Sequence, residues 1–296
     1  MYFNACGMLI QLTLQFFQSG NFEMSYVHSY DGTLLWYDVC GQGYGDPVLL
    51  IAGNGCDHSV WNYVISDFTA ERPVIIYDHR GTGRSGRNTT GICCTRDLAR
   101  DVLAILQGAG VVRAHVYGHS MGGRVAQWFA ADWPEATGAL ILGASSIGEK
   151  HGIPRSAEAT KAMKENDVMT LQNMCYPDAW LREHPKEAMS SAPNPHDMVE
   201  FLWHMRASVE HDSWDIAPSI ISPTLIIHGS EDEITHPGNA EILASRITAA
   251  EVLIVEKAKH VYWAGHPEVH SIVSAFMKET ERGFAYELCT AQKKSR

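Results

Sequence analysis

The feature that most constrains this chain is a series of short, unbroken apolar runs, each ending in turn residues. Residues 48–52, 74–77, 114–117, 139–142, 224–227 and 252–255 are compact and rich in Val, Ile and Leu. Runs of this length without polar alternation suit strands buried on both faces of a parallel sheet. Residues 34–39 alternate instead and predict an edge strand, with a glycine loop at 41–45 behind it. Between the runs lie helix-like stretches. Thr95 can cap a helix carrying Leu98, Val102 and Leu106 on one face, and residues 122–133 form another helical pattern that Pro134 stops. Strands alternating with helices predict an open, mostly parallel α/β sheet flanked by helices.

The alternation fails over residues 149–213. No strand pattern is found there, and six methionines with Trp180 and Trp203 lie in helix-like pieces broken by Pro177, Pro185, Pro193 and Pro195. This predicts a helical cap inserted into a core formed by residues 24–148 and 214–290. Methionine-rich helices adapt to apolar ligands, although Met at helical spacing also serves as plain core filling. Trp203 and Met205 are the candidate pocket residues. Residues 1–23 read as an N-terminal extension. The apolar run at 8–17 is interrupted by Gln11 and Gln15, is too short for a transmembrane helix, and has no basic residue before it. Met24 is then a candidate start.

Composition narrows the function. With 296 residues, 45% of them hydrophobic, the chain can build one large core. A formal net charge of -11 makes phosphate backbones and anionic lipid poor partners, so neither nucleic acid nor membrane is expected. Seven cysteines, an odd number without metal-ligand spacing and with Cys93 beside Cys94, fit a reducing cytoplasm better than a disulfide framework.

Five motifs follow the apolar runs. The strongest is Gly118-His119-Ser120-Met121-Gly122, between a strand and a helix. A nucleophile on so sharp a turn needs small neighbours, and the turn would place the Met121 N–H at a helix N-terminus, where it can stabilise an oxyanion. Gly53-Asn54-Gly55-Cys56 follows the run at 48–52, and the Asn54 N–H is a candidate second donor; an ordinary glycine turn would read the same way. Tyr77 to Gly86 contains GxGxxG, but no apolar helix follows and no acidic residue closes a second strand, so the glycines are expected to shape a loop rather than bind a dinucleotide. Asp232 lies in Gly229-Ser230-Glu231-Asp232-Glu233, with Glu231 and Glu233 as rivals. His260, one of 15 histidines, follows the last run. Ser, then Asp, then His, each after a strand, is the chain order of an α/β-hydrolase triad.

These segments resemble the Ser-type α/β-hydrolases, and among them the 3-oxoadipate enol-lactonase-like esterases and lactonases, over roughly Tyr26 to Met277. The resemblance implies an eight-stranded sheet, a helical lid, no cofactor, and catalytic roles for Ser120, Asp232 and His260 with the Asn54 and Met121 N–H groups as oxyanion donors. Many members carry His-Gly where this chain has Ala52-Gly53. The serine nucleophile argues against the haloalkane dehalogenase and epoxide hydrolase branches. The expected activity is hydrolysis of a small, largely apolar and uncharged ester or lactone. A carbon–carbon hydrolase, a perhydrolase and a slow, receptor-like ligand binder are the alternatives.

Overall fold

The computed structural model describes residues 25–88, 91, 94–165 and 167–294, with side chains described as far as residue 283. The run at 8–17, Met24 and Cys93 lie outside the described residues. Eight strands form one sheet: β1 (Ser25–His28), β2 (Leu34–Cys40), β3 (Val48–Ile51), β4 (Val74–Tyr77), β5 (Ala114–His119), β6 (Thr137–Gly143), β7 (Thr224–Gly229) and β8 (Ala250–Val255). Their spatial order is β1-β2-β4-β3-β5-β6-β7-β8, with β1 and β2 antiparallel and the rest parallel.

Five of the six apolar runs become central strands because helices cover both faces, while the last, at 252–255, becomes β8 at an edge of the sheet, where only Val255 is buried. Leu49 and Ile51 of β3 enter one core with Leu98, Val102, Val125 and Phe129. Val48 and Leu50 enter the other with Trp61, Phe68, Val273 and Met277. The first core packs under α2 (Thr95–Gly108), α3 (Met121–Asp132) and α9 (Asn239–Ala244). The second packs under the single turn α1 (Ser66–Thr69) and the long α10 (Glu268–Lys294). Successive strand residues point to opposite faces, so a run apolar at every position serves two cores at once.

Two local expectations are corrected. Residues 34–39 do not form the edge, because β1 pairs outside them, Ser25 opposite Tyr37 and His28 opposite Leu34. β1 is only four residues long and alternates partly buried with exposed positions, too short a pattern to stand out. Thr95 does not cap α2. Cys94 is the N-cap, its backbone N–H donating to Asp97 Oδ2, and the Thr95 hydroxyl instead meets His211 Nδ1 at 2.8 Å.

Between β6 and β7 the chain forms α4 (Ala157–Glu165), α5 (Val168–Cys175), α6 (Asp178–Glu183), α7 (Pro185–Ser190) and α8 (Met198–Val209), with no strand among the described residues of this insert. The insert is held on the sheet by the glycine loop after β4. Gly83 N–H donates to Asn194 O, His196 N–H donates to Gly81 O, and Thr82 and Pro195 form an isolated antiparallel bridge. The Gly81-Thr82-Gly83 segment is thus a docking loop for the insert. A Cβ at Gly81 would lie 2.4 Å from Glu200 Oε2 of α8, and one at Gly83 2.3 Å from Asp78 Oδ2. Behind it, the buried Arg80 guanidinium pairs with Asp101 of α2 and Asp31 of the β1–β2 turn at 2.6 Å each. Among the described residues, no helix is long and apolar enough to cross a membrane.

Candidate active site

From β3 the chain crosses first to β4 on one side and then to β5 on the other, so the loops leaving β3 and β5 diverge and open a crevice at the carboxyl edge. Ile51 pairs with Gly118, and two residues beyond that register lie Gly53 and Ser120. Ser120 occupies the point where β5 becomes α3. Its φ of 57° and ψ of −119° are costly for a side-chain-bearing residue and lift the hydroxyl off the sheet. The turn is held by neighbours. Ser120 N–H donates to Gly143 O at 2.8 Å, Gly123 N–H donates to Ser120 O at 3.0 Å, and Ser145 Oγ donates to the same oxygen at 2.9 Å.

The flanking glycines are sterically required. A Cβ at Gly118 would sit 2.2 Å from Gly122 O, and one at Gly122 would sit 2.1 Å from Ile51 O. At the other glycine loop the constraint falls on Gly55 rather than Gly53. A Cβ at Gly53 would make an ordinary 3.4 Å contact with Ser120 Cβ, whereas Gly55 adopts φ +68° and has the Phe201 ring only 2.8 Å from where a Cβ would be.

Asp232 and His260 reach the same edge from β7 and β8. His260 Nδ1 lies 2.8 Å from Asp232 Oδ2, and both side chains are buried. The other carboxylate oxygen of Asp232 accepts the N–H groups of Ile234 and Thr235, each at 2.8 Å. Burial alone would raise the Asp232 pKa, but the His260 charge and these hydrogen bonds outweigh it and hold the carboxyl below its ordinary range. Glu233 turns away to Lys259, at 3.4 Å. His119 packs its ring 4.9 Å from that of His260 and donates Nε2–H to His260 O at 3.0 Å. Burial, with the neighbouring His260 adding to it, pushes His119 down to about 3, so its ring is a neutral brace.

Ser120, His260, His119, Gly53 and Asn54 line one cavity of about 110 Å³. The insert supplies much of its wall, including Met163, Leu171, Cys175, Tyr176 and Phe201, and Ile234 and Val261 close the core side. None of the described lining residues is Asp, Glu, Lys or Arg. One water needs roughly 10–15 Å³ on this scale, so the space suits a compact organic group. Met121, the first residue of α3, has an N–H with no intrahelical acceptor.

The two candidate pocket residues are not brought to this cavity. The buried positions of α8 are Glu200, Phe201, His204, Met205, Ala207 and Ser208, and among them Phe201, His204, Met205 and Ser208 form an i, i+3, i+4, i+7 stripe. Trp203 falls on its flank, near the place where a Cβ on Gly91 would be 3.5 Å from its ring. Met205 is buried beneath the helix but outside the lining. Phe201 is the α8 residue that lines the cavity. It shares the helical stripe with Met205, and that periodicity was the available signal.

Among the described residues, Asp57, His58 and Asp78 bring possible metal-ligating atoms within 4.8 Å of one another. They are already engaged. His58 Nδ1 meets Asp78 Oδ1 at 2.6 Å, Asp78 Oδ2 accepts Arg84 N–H, and Asp57 accepts Ser59 N–H and the Asn194 amide.

A doubly covered parallel sheet, a strained serine between strand and helix, and an Asp–His pair on the same edge define an α/β-hydrolase. The chain belongs to the hydrolase family described as serine aminopeptidase S33, which it matches over residues 47–264. It is similar to RutD of Azorhizobium caulinodans, provisionally named a carbamate hydrolase, at 30% identity over 256 residues covering 83% of this chain and 95% of that one. It is also similar to 3-oxoadipate enol-lactonase 1 of Acinetobacter baylyi, at 28% identity over 273 residues covering 87% and 100%. A crystal structure of a hydrolase from Pseudomonas aeruginosa superposes with a TM-score of 0.74 at 25% identity, covering 88% of this chain and 99% of that one. The enol-lactonase from Burkholderia xenovorans shares the fold, with a TM-score of 0.74 at 23% identity, covering 86% and 99%.

Proposed function

We propose that the chain is a serine hydrolase that cleaves a small, uncharged and largely apolar carboxylic ester or lactone through an acyl-enzyme. The observation that carries this is a strained Ser120 opening into a charge-free cavity that it shares with an Asp232-anchored His260. Ser120 Oγ attacks the carbonyl carbon while His260 Nε2 takes the hydroxyl proton. Asp232 accepts the Nδ1–H bond, which leaves Nε2 as the base and stabilises the imidazolium. The N–H groups of Met121 and Asn54 receive the oxyanion. The tetrahedral adduct collapses, the C–O bond to the leaving alcohol breaks, and His260 protonates that alcohol. Water then repeats the sequence in reverse roles, releasing the acid and restoring Ser120. The insert acts as a cap that limits water and shapes the acyl site.

The wall chemistry sharpens the substrate class. A free carboxylate on the substrate would meet no Lys or Arg among the described lining residues, and its desolvation would go unpaired. The preference therefore runs toward uncharged acyl groups, and carbamate esters belong in the test because of the relatives' names. The proposed setting is cytoplasmic. The test is fluorophosphonate labelling together with a panel of esters, lactones and carbamates of graded size and charge. We expect Ser120 to be the labelled residue, neutral short acyl groups to be preferred, and Ser120→Ala to lower turnover by about 10⁶, the size of the nucleophile effect in subtilisin. Residual activity of Ser120→Ala within tenfold of wild type, or faster cleavage of carboxylate-bearing substrates, refutes this reading.

A further inference from the structure

The loop that follows β3 is held in place by a residue of the insert. His204, buried on α8, accepts Gly55 N–H through Nδ1 at 3.2 Å and donates Nε2–H to Arg80 O at 2.9 Å. One neutral ring thus bridges the loop after β3 and the docking loop after β4. The Gly55 carbonyl is held from the same side, accepting Asn194 N–H at 2.8 Å, and the Asn194 side-chain amide donates to Asp57 at 2.7 Å. Phe201, three residues before His204, seals Gly55 from above.

We propose that His204 is a positioning residue for the oxyanion loop, aiming the Asn54 N–H from the insert side; this rests on the reading of that N–H as an oxyanion donor. The Asn54 N–H lies in the Gly53–Asn54 peptide plane, and Asn54 is anchored on its other side by the Asn54–Gly55 plane. The Gly53–Asn54 plane is held because Gly53 O accepts Cys56 N–H at 3.2 Å. The Asn54–Gly55 plane is held by His204 through the Gly55 N–H. Releasing the second plane leaves a buried N–H without an acceptor, and the loop relaxes to find one. Oxyanion donors act only when held about 2.7–3.1 Å from the developing charge, so a small rotation of Asn54 is felt in the transition state and hardly at all in ground-state binding. Burial, with His79 adding to it, pushes the His204 ring down to about 3, so it keeps its acceptor and its donor throughout the working range.

Three variants separate the two hydrogen bonds. His204→Asn retains an acceptor near the Nδ1 position, His204→Gln retains a donor near the Nε2 position, and His204→Leu has neither. Each is assayed on p-nitrophenyl esters per active site titrated with fluorophosphonate, so that only folded, labelled molecules are counted. We expect Gln and Leu to lower kcat about 10–100-fold with KM changed less than about threefold, and Asn to stay within about fivefold of wild type. Affinity for a trifluoromethyl ketone should fall in step with kcat. Equal kcat for Asn and Gln, or losses that follow only the melting temperature, would make His204 merely structural and overturn the proposal. An active, labelled wild type whose His204 variants behave like it overturns this proposal alone. A wild type that neither labels nor hydrolyses overturns the active-site reading as well. Should no variant fold, nitrogen-15 NMR of the wild type decides the matter. A neutral Nε2–H ring and a slowly exchanging Gly55 amide are expected between pH 5 and 9, and a charged ring or a freely exchanging amide overturns the assignment.

Discussion

At Ser120 and Gly122 two demands meet in three residues. The serine must hold a left-handed φ, and the helix that follows must run close against β3. Neither is possible with larger neighbours, because Gly122 already lies where a Cβ would be 2.1 Å from Ile51 O. Gly122→Ala should therefore force α3 off the strand, costing about 1–3 kcal/mol and lowering the melting temperature by several degrees. An unchanged melting curve would show that the turn has slack it does not display. At Asp232 the demand is electrostatic. Asp232→Asn keeps the shape but removes the charge that fixes the His260 tautomer, and kcat should drop about 10⁴-fold, as in the serine proteases. A loss smaller than tenfold, measured per titrated site, would remove Asp232 from that role. The resemblance to the Ser-type α/β-hydrolases pointed to Asp232 over its acidic neighbours. What turns Glu233 aside, an ion pair with Lys259, belongs to a contact between two loops.

α8 shows what an element adds. It turns Phe201 to the cavity, His204 to the loop after β3 and Trp203 to the flank, all within one turn. Phe201→Ala should enlarge the acyl site and shift the kcat/KM ratio between bulky and short acyl esters toward the bulky ones by about tenfold. Trp203→Ala should leave that ratio within about twofold. If the tryptophan variant moves the ratio and the phenylalanine variant does not, the assignment of helix faces to substrate contact is reversed. Apolar enrichment in residues 149–213 indicated a helical insert. It did not indicate which stripe of each helix faces Ser120, since Met, Trp and Phe lie on several faces of short helices whose rotation depends on docking to core loops, those at Gly53–Gly55 and Gly81–Gly83 among them.

Across the whole molecule, the long C-terminal helix is tied to the sheet by charge as well as packing. Glu281 of α10 accepts from Arg72 and from His115 Nε2, while His115 Nδ1 accepts Ala139 N–H at 2.9 Å. Burial holds the His115 pKa below its ordinary range despite the carboxylate beside it, and with Nδ1 accepting Ala139 N–H the ring donates through Nε2 as a neutral group while Arg72 supplies the charge. Although partial burial would raise it, these partners hold Glu281 down to about 2. A depressed carboxyl pKa adds stability that is present above the unfolded value of about 4.3 and is lost as pH falls through the folded value. Glu281→Gln should accordingly be less stable than wild type by about 1–2 kcal/mol at pH 7, a figure reduced for the partial exposure of the pair, with the gap closing between pH 4 and 2. Denaturant titrations at pH 7 and pH 3 measure this. A gap that widens on acidification would contradict the sign.

The sequence by itself determined the strands of the central sheet, the strand–turn–helix at Ser120 and the helical character of the insert. Each is written in neighbouring residues: a periodicity, a glycine pair, a proline stop. The tertiary structure decided which cavity these elements enclose, that β1 rather than β2 lies at one edge of the sheet, and that His204 reaches Gly55 across 149 positions and Arg80 across 124. The physical reason lies in what sets each feature. Backbone preference and strand burial act over a few residues and leave a local pattern. A hydrogen bond between an insert helix and a core loop depends on how two surfaces dock, and no short stretch of sequence carries that information.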